Sequence, residues 1–247
     1  MLDTYTILLI AGAVAGGFVN GLAGFGTALF ALGFWLQILP PLHAVALVLM
    51  ASAVTGLQGL WVVRHQMGDN IPRLVRFLLP GLVGIPLGTT LLVWIDPAIM
   101  KLIIAGFLIL YGLFFILRRR LPSFDARTHK TDITIGFAGG VLGGLAGLSG
   151  ALPAMWCALR PWPRHETRAV LQPYNFIILT LSATALAFRG AYTGAVLTDL
   201  LIVIPASVLA AQLGIWVFRA ISDTQFRWLL IGLMLASGII LALREMM

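Results

Sequence analysis

The sequence predicts an all-α, polytopic membrane protein built as two inverted repeats, each a glycine-broken helical hairpin followed by three transmembrane helices. Three observations predict it. Of the 247 residues, 60% are hydrophobic and only 10% are charged, a balance far from that of a soluble domain. One half of the chain repeats the other. The basic residues divide very unevenly between the two faces that this repeat defines.

Conventional spans come first. Apolar runs over 43–63, 74–94, 98–117, 169–188, 197–218 and 226–243 are each about 20 residues long, enough to cross a hydrocarbon core of about 30 Å. The opening Met-Leu-Asp-Thr-Tyr-Thr lacks the basic region of a cleavable signal, so it is expected to begin the first membrane segment. The single cysteine, Cys157, sits in an apolar run and is expected to be a packing residue. A net charge of +7 raises the question of nucleic acid. The Lys and Arg residues lie at span ends, where an oriented membrane protein carries them, so no nucleic-acid partner is expected.

The repeat is direct in sequence. A shift of 123 residues lays Ala15–Leu36 on Ala138–Leu159 without a gap, and 11 of the 22 positions are identical, all of them glycine, alanine or leucine. A shift of 122 then matches Pro41, His43, Val48 and Leu49 with Pro163, His165, Val170 and Leu171. Shared glycine spacing followed by a shared Pro-x-His marks a duplication. The predicted organisation is a first repeat over 1–120 with its hairpin at 4–39, a cytoplasmic linker over 121–132, and a second repeat over 133–247 with its hairpin at 133–159.

Why a hairpin rather than a helix follows from length and charge. As one helix, 4–39 would extend roughly 54 Å, well beyond the core. If each broken segment crossed once, the basic residues would split 10 to 6; if each enters and leaves on one face, they split 13 to 3, with only Lys101, Arg189 and Arg244 on the outer side. The second division is the one an oriented protein shows. It makes the halves inverted, with both termini outside. Whether each hairpin is re-entrant or a pair of short tilted spans is left open by the count.

Inverted repeats bring their interrupted segments together near mid-membrane, where carriers of this symmetry hold substrate. Amide groups freed at the breaks, Gly21–Gly26 and Gly144–Gly150, need partners that lipid does not offer, and helices starting at Thr27 and Ala151 would aim positive ends at an anion. The other glycines, such as Gly12, Gly16, Gly17, Gly136 and Gly140, read as close helix contacts. The candidate substrate-binding residues are Asn20, Gly21, Gly24, Gly26, Thr27, Gly147, Ser149, Gly150, Gln172, Tyr174 and Asn175. The last three accompany Pro173, which interrupts a span.

No acid lies near the centre of a span, which argues against a cationic substrate and leaves a coupling proton or sodium ion without a residue to hold it. His43 and His165 occupy equivalent positions; capping or interfacial placement is the simplest role, with gating or proton linkage the alternative. Arg168 opens a span and reads as a solvated or headgroup-facing cation, or else as an anion gate. The tryptophans, Trp35 apart, fall near segment ends as an interfacial belt. No cofactor and no metal site is indicated.

Two motifs mislead. Gly21-x-x-Gly24-x-Gly26 looks like a nucleotide loop but follows an apolar helix, not a strand. Gly147-Leu148-Ser149-Gly150 is similar to the nucleophile motif of rhomboid intramembrane proteases, yet all four histidines, His43, His65, His129 and His165, lie at span ends or in loops, away from a base's required reach.

The paired segments GGFVNGLAGFGTALFAL and GGVLGGLAGLSGALP, the AVALVL run, and RHETRAVLQPYN resemble the TauE/SafE sulfite-exporter family over essentially the whole chain. The resemblance implies a bacterial inner-membrane carrier of small sulfur-containing anions, sulfite or organosulfonates such as sulfoacetate. Members often place proline in the first hairpin where Phe30 stands here; Pro153 keeps it in the second. The expected function is therefore secondary transport, most simply export, of such an anion across a lipid bilayer by alternating access. An anion channel is the competitor within transport, and a Ser149 protease the competitor among enzymes.

Overall fold

The computed structural model describes residues 3–117, 128–222 and 225. Among these there are nine helices and no strand. The helices are α1 (Thr4–Ala23), α2 (Thr27–Trp35), α3 (Pro41–Val63), α4 (Met67–Trp94), α5 (Pro97–Leu117), α6 (His129–Ala146), α7 (Ala151–Ala158), α8 (Arg164–Phe188) and α9 (Gly194–Ala220). The expected span at 226–243, most of the linker at 121–132, and Arg118, Arg119, Arg120, Arg127, Arg227, Trp228 and Arg244 lie outside the described residues. Among the described residues five helices are long and apolar enough to cross a membrane: Thr4–Ala23, Pro41–Val63, Asn70–Trp94, His165–Phe188 and Gly194–Ala220.

Each broken segment is a long helix and a short one. At nine and eight residues, α2 and α7 extend only about 12–14 Å, less than half a membrane core. They fold back along the helices that precede them. Trp35, at the end of α2, donates its indole N–H to the Leu9 carbonyl of α1 at 3.0 Å. Trp156, in α7, donates to Asp132 Oδ1 of α6 at 2.7 Å. The two acceptors occupy equivalent positions, a backbone oxygen at Leu9 and a carboxylate at Asp132, while the tryptophans that reach them stand at different positions of the repeat. Helix α6 starts at His129, four residues before the predicted hairpin, and so buries Asp132, which the sequence reading left at a span end.

Glycine sets the helix pairing. A Cβ at Gly17 or Gly21 of α1 would strike Ser207 or Ala211 of α9, and one at Gly136 or Gly140 of α6 would strike Phe77 or Gly81 of α4. The corresponding helices of the two halves therefore pair crosswise, α1 with α9 and α6 with α4, at backbone contact distance. Between these pairs α3 and α8 pack on each other.

The ends of the bundle are marked by polar contacts. At one end Tyr5 of α1 and His43 of α3 meet Asp199 of α9. At the other, Arg73 of α4 meets Glu166 of α8, and its guanidinium lies over Trp162. Arg160 contacts Asp132 and bonds Thr128 there. The tryptophans at helix ends, Trp61, Trp94 and Trp216, are exposed, while Trp35 is fully buried within the first hairpin.

Candidate functional site

The two breaks open on the same left-handed glycine turn and arrive at one place. At the first, Gly24 and Gly26 hold φ of 82° and 101°, left-handed geometry that glycine adopts without strain. They stop α1 and start α2 within three residues. The second ends at Gly147, with φ of 70°, whose N–H returns to Gly143 O at 2.9 Å while Leu148 N–H reaches Leu142 O at 3.1 Å, satisfying the last carbonyls of α6. The short helices then begin at Thr27 and Ala151, where the glycine spacing places them. Neither start has a side-chain cap, so each presents the positive end of its helix dipole there, although in α7 the Ala151 N–H turns back to Leu148 O at 3.2 Å.

A pocket lies between these two starts. Asn20, Phe25, Gly26, Thr27 and Leu29 line it from the first hairpin, Gly147 to Ala151 from the second, and Asn175 and Leu179 from α8. The room inside is about 10 Å³, that of one water sphere. The tips touch: a Cβ on Gly150 would lie 2.7 Å from Phe25 Cβ and 2.6 Å from Asn175 Nδ2.

Asn175 joins the two tips. Ser149 donates its hydroxyl to Asn175 Oδ1 at 2.6 Å, and Asn175 Nδ2 donates to the Gly24 carbonyl at 3.1 Å. One amide thus bonds both breaks, from a residue about halfway along α8. Asn20 Nδ2 donates to Thr55 Oγ1 at 2.6 Å, and Thr55 passes its own proton to Ala51 O at 2.7 Å. Thr27 is the exception: it is 3% exposed, lines the pocket, and its hydroxyl makes no hydrogen bond among the described residues. A buried hydroxyl in that condition costs free energy unless a ligand completes it.

Arg168 is a correction to the solvated reading. It is buried and donates to Gly21 O at 2.7 Å and Leu22 O at 3.4 Å, with its guanidinium over Phe218. It caps the carbonyl end of α1, where a cation meets the negative pole of the helix. One turn on, Gln172 lies against Gly24 and Gly59, with its Oε1 buried and unpaired. Arg168, Gln172 and Asn175 share one face of α8 by their i, i+4, i+7 spacing.

Other expected site residues fall elsewhere. Tyr174 donates to Gly136 O at 2.8 Å and packs edge-on against Phe77, fastening α8 to the α4–α6 pair outside the pocket. Gly21 is a contact with α9 rather than a lining residue. His165 is exposed in the first turn of α8, whereas His43 is bound to Asp199. Sequence reasoning missed the capping by Arg168, the Asn20–Thr55 bond and the buried state of Asp199. The spacing of 168, 172 and 175 was the available signal for the first. Ser149 has Asn175, not a histidine, as its partner. Among the described residues no cluster of His, Cys, Asp or Glu could hold a metal.

The family model of the sulfite exporter TauE/SafE matches residues 8–241, so the chain belongs to that family of membrane transporters and is not an enzyme. No curated protein and no solved structure matches it.

Proposed function

With TauE/SafE membership as the premise, we propose that this chain is a secondary carrier that exports a small sulfur-containing anion, sulfite or an organosulfonate such as sulfoacetate. The membrane is the bacterial cytoplasmic membrane, both termini are periplasmic, and the halves are inverted repeats that work by alternating access. The observation that carries the reading is the pocket where two uncapped helix starts face each other beside the unpaired Thr27 hydroxyl. Two positive helix ends and neutral donors suit a sulfonate head, whose three oxygens accept and carry charge without needing a fixed counter-ion.

The inverted arrangement is supported by the end contacts. The first hairpin starts and ends beside Asp199, and the second starts and ends near Arg73 and Arg160. The second group lies on the arginine-rich side, the cytoplasmic one by the positive-inside rule. A pocket with room for one water is an occluded state. To admit a sulfonate, the hairpin tips part, and Ser149 Oγ and Asn175 Nδ2 turn from their present acceptors to the anion. Gly24, Gly26, Gly147 and Gly150 let the backbone approach the anion at the breaks, and Gln172 stands on the path between the pocket and the cytoplasmic end.

A thermal-shift screen of purified protein against sulfite, sulfate, sulfoacetate, taurine and simple carboxylates tests the substrate class. Stabilisation by sulfonates or sulfite supports it; stabilisation by carboxylates alone contradicts it. Saturable, trans-stimulated flux in proteoliposomes separates the carrier from a channel, which would conduct as single-channel currents.

A further inference from the structure

Three helices meet on one carboxylate at the end where the first hairpin begins and ends. Tyr5, in the first turn of α1, donates its hydroxyl to Asp199 Oδ2 at 2.6 Å. His43 Nε2, in the first turn of α3, lies 2.8 Å from the same oxygen. Asp199 itself stands in the second turn of α9 and is buried. None of the three lines the pocket.

The opposite end has a junction at the matching place. Glu166 follows His165, the counterpart of His43, and pairs with Arg73 of α4 at 2.6 Å. Each junction ties the first turn of a central helix to a helix of the other half. They differ in exposure and in chemistry. The side chains of Arg73 and Glu166 are 37% and 33% exposed, those of His43 and Asp199 16% and 9%. Arginine keeps its charge at every physiological pH, whereas histidine is the side-chain type that can change charge near neutrality. When one partner of a buried pair loses its charge, the other is left uncompensated at considerable cost.

We infer that the His43–Asp199 pair, with Tyr5 donating to the carboxylate, is a proton-binding site that couples anion movement to proton movement. The inference rests on the carrier reading above and supplies its ion. With the pair protonated, the Tyr5 hydroxyl donates to Oδ2 and the His43 ring lies in ion-pair contact with it, which holds α1, α3 and α9 together. When the pair gives up its proton, the buried carboxylate loses its compensating charge. Because α1 and α9 are locked by their glycine contacts, the joint that yields is the one between α3 and that pair.

The neighbouring charges are otherwise engaged. Asp3 caps α1 through the Thr6 amide, and α2 carries no charge. Arg168 of α8 caps the far end of α1, and Arg189 donates to Thr89 and Thr90 of α4. Arg73 of α4 is paired with Glu166. At the far ends of α3 and α9, Arg64 bonds His65 and Arg219 lies in the last turn. Among the described residues, Tyr5 and His43 are the titratable groups that face Asp199.

The test uses the purified full chain in proteoliposomes with membrane potential clamped and labelled sulfoacetate as probe, which stays ionised near neutral pH. Wild type under a pH step of about one unit should build a sulfoacetate concentration difference of about tenfold for one proton per anion. Its sign tells cotransport from exchange. Asp199→Asn should retain sulfoacetate-for-sulfoacetate exchange and build no such difference. Exchange by wild type without a pH-driven gradient, or a wild-type gradient in Asp199→Asn, overturns the proton site alone. No exchange by wild type overturns the carrier reading beneath it. Should Asp199→Asn fail to fold, His43→Gln decides: a reduced gradient supports the site, and an unchanged one overturns it.

Discussion

Replacing Thr27 by valine separates binding from stability more sharply than any other single change. The two side chains have nearly the same shape, so the methyl that faces Gly16 of α1 keeps its contact. What is removed is a hydroxyl buried without a partner. An unsatisfied buried polar group costs roughly 1–3 kcal/mol, so the anion-free variant should be more stable than wild type by about 1 kcal/mol or more. For a chain of this size that is about 2–4 °C in melting temperature per kcal/mol. If the hydroxyl donates to an anion, losing that charge-assisted bond costs about 1.5–3 kcal/mol, or about 10- to 150-fold in affinity. The assay is one series of thermal melts in detergent, each over a titration of the most stabilising anion. A variant that melts lower without anion, or that binds with wild-type affinity, refutes the reasoning.

Other changes probe the rest of the scaffold. Asn175→Leu leaves the Ser149 hydroxyl and the Gly24 carbonyl unbonded, and should cost about 2–4 kcal/mol, read as a lowered melting temperature together with lost exchange. Arg168→Met strips the Gly21 and Leu22 carbonyls of their donor and should destabilise by about 2–5 kcal/mol; a neutral outcome would mean that the residue is solvated after all. Gly140→Val forces a side chain into the Gly81 backbone and should abolish folding, scored by loss of monodisperse protein, whereas Gly194→Ala, with open space around its Cβ, should be silent.

The legible part of this molecule was what glycine and charge write locally. Gly24, Gly26 and Gly147 mark where helices break, because few other residues tolerate those dihedrals, and so the starts at Thr27 and Ala151 could be read in advance. The run of small residues at Gly136 and Gly140 announced close packing, though not against which helix. What escaped was partnership across long stretches of chain. Arg168 looks solvated because it sits five residues into α8, and nothing near it in sequence says that the carbonyl end of α1 arrives there. Asp199 looks like a boundary acid until Tyr5 and His43, each more than 150 residues away, fold onto it. Tyr174 was drawn into the site by its neighbours Gln172 and Asn175, yet helical geometry turns it to the other side of α8, toward Gly136.

The central claim is that the two hairpin tips form one anion site. A map of the protein bound to the most stabilising anion of the thermal panel tests it most directly. Anion density is expected between the starts of α2 and α7, its oxygens about 2.7–3.2 Å from backbone amides of the two breaks and from the Thr27 hydroxyl, with Ser149 and Asn175 reoriented toward it. Density elsewhere in the protein, with the tips still joined through Asn175, would contradict it.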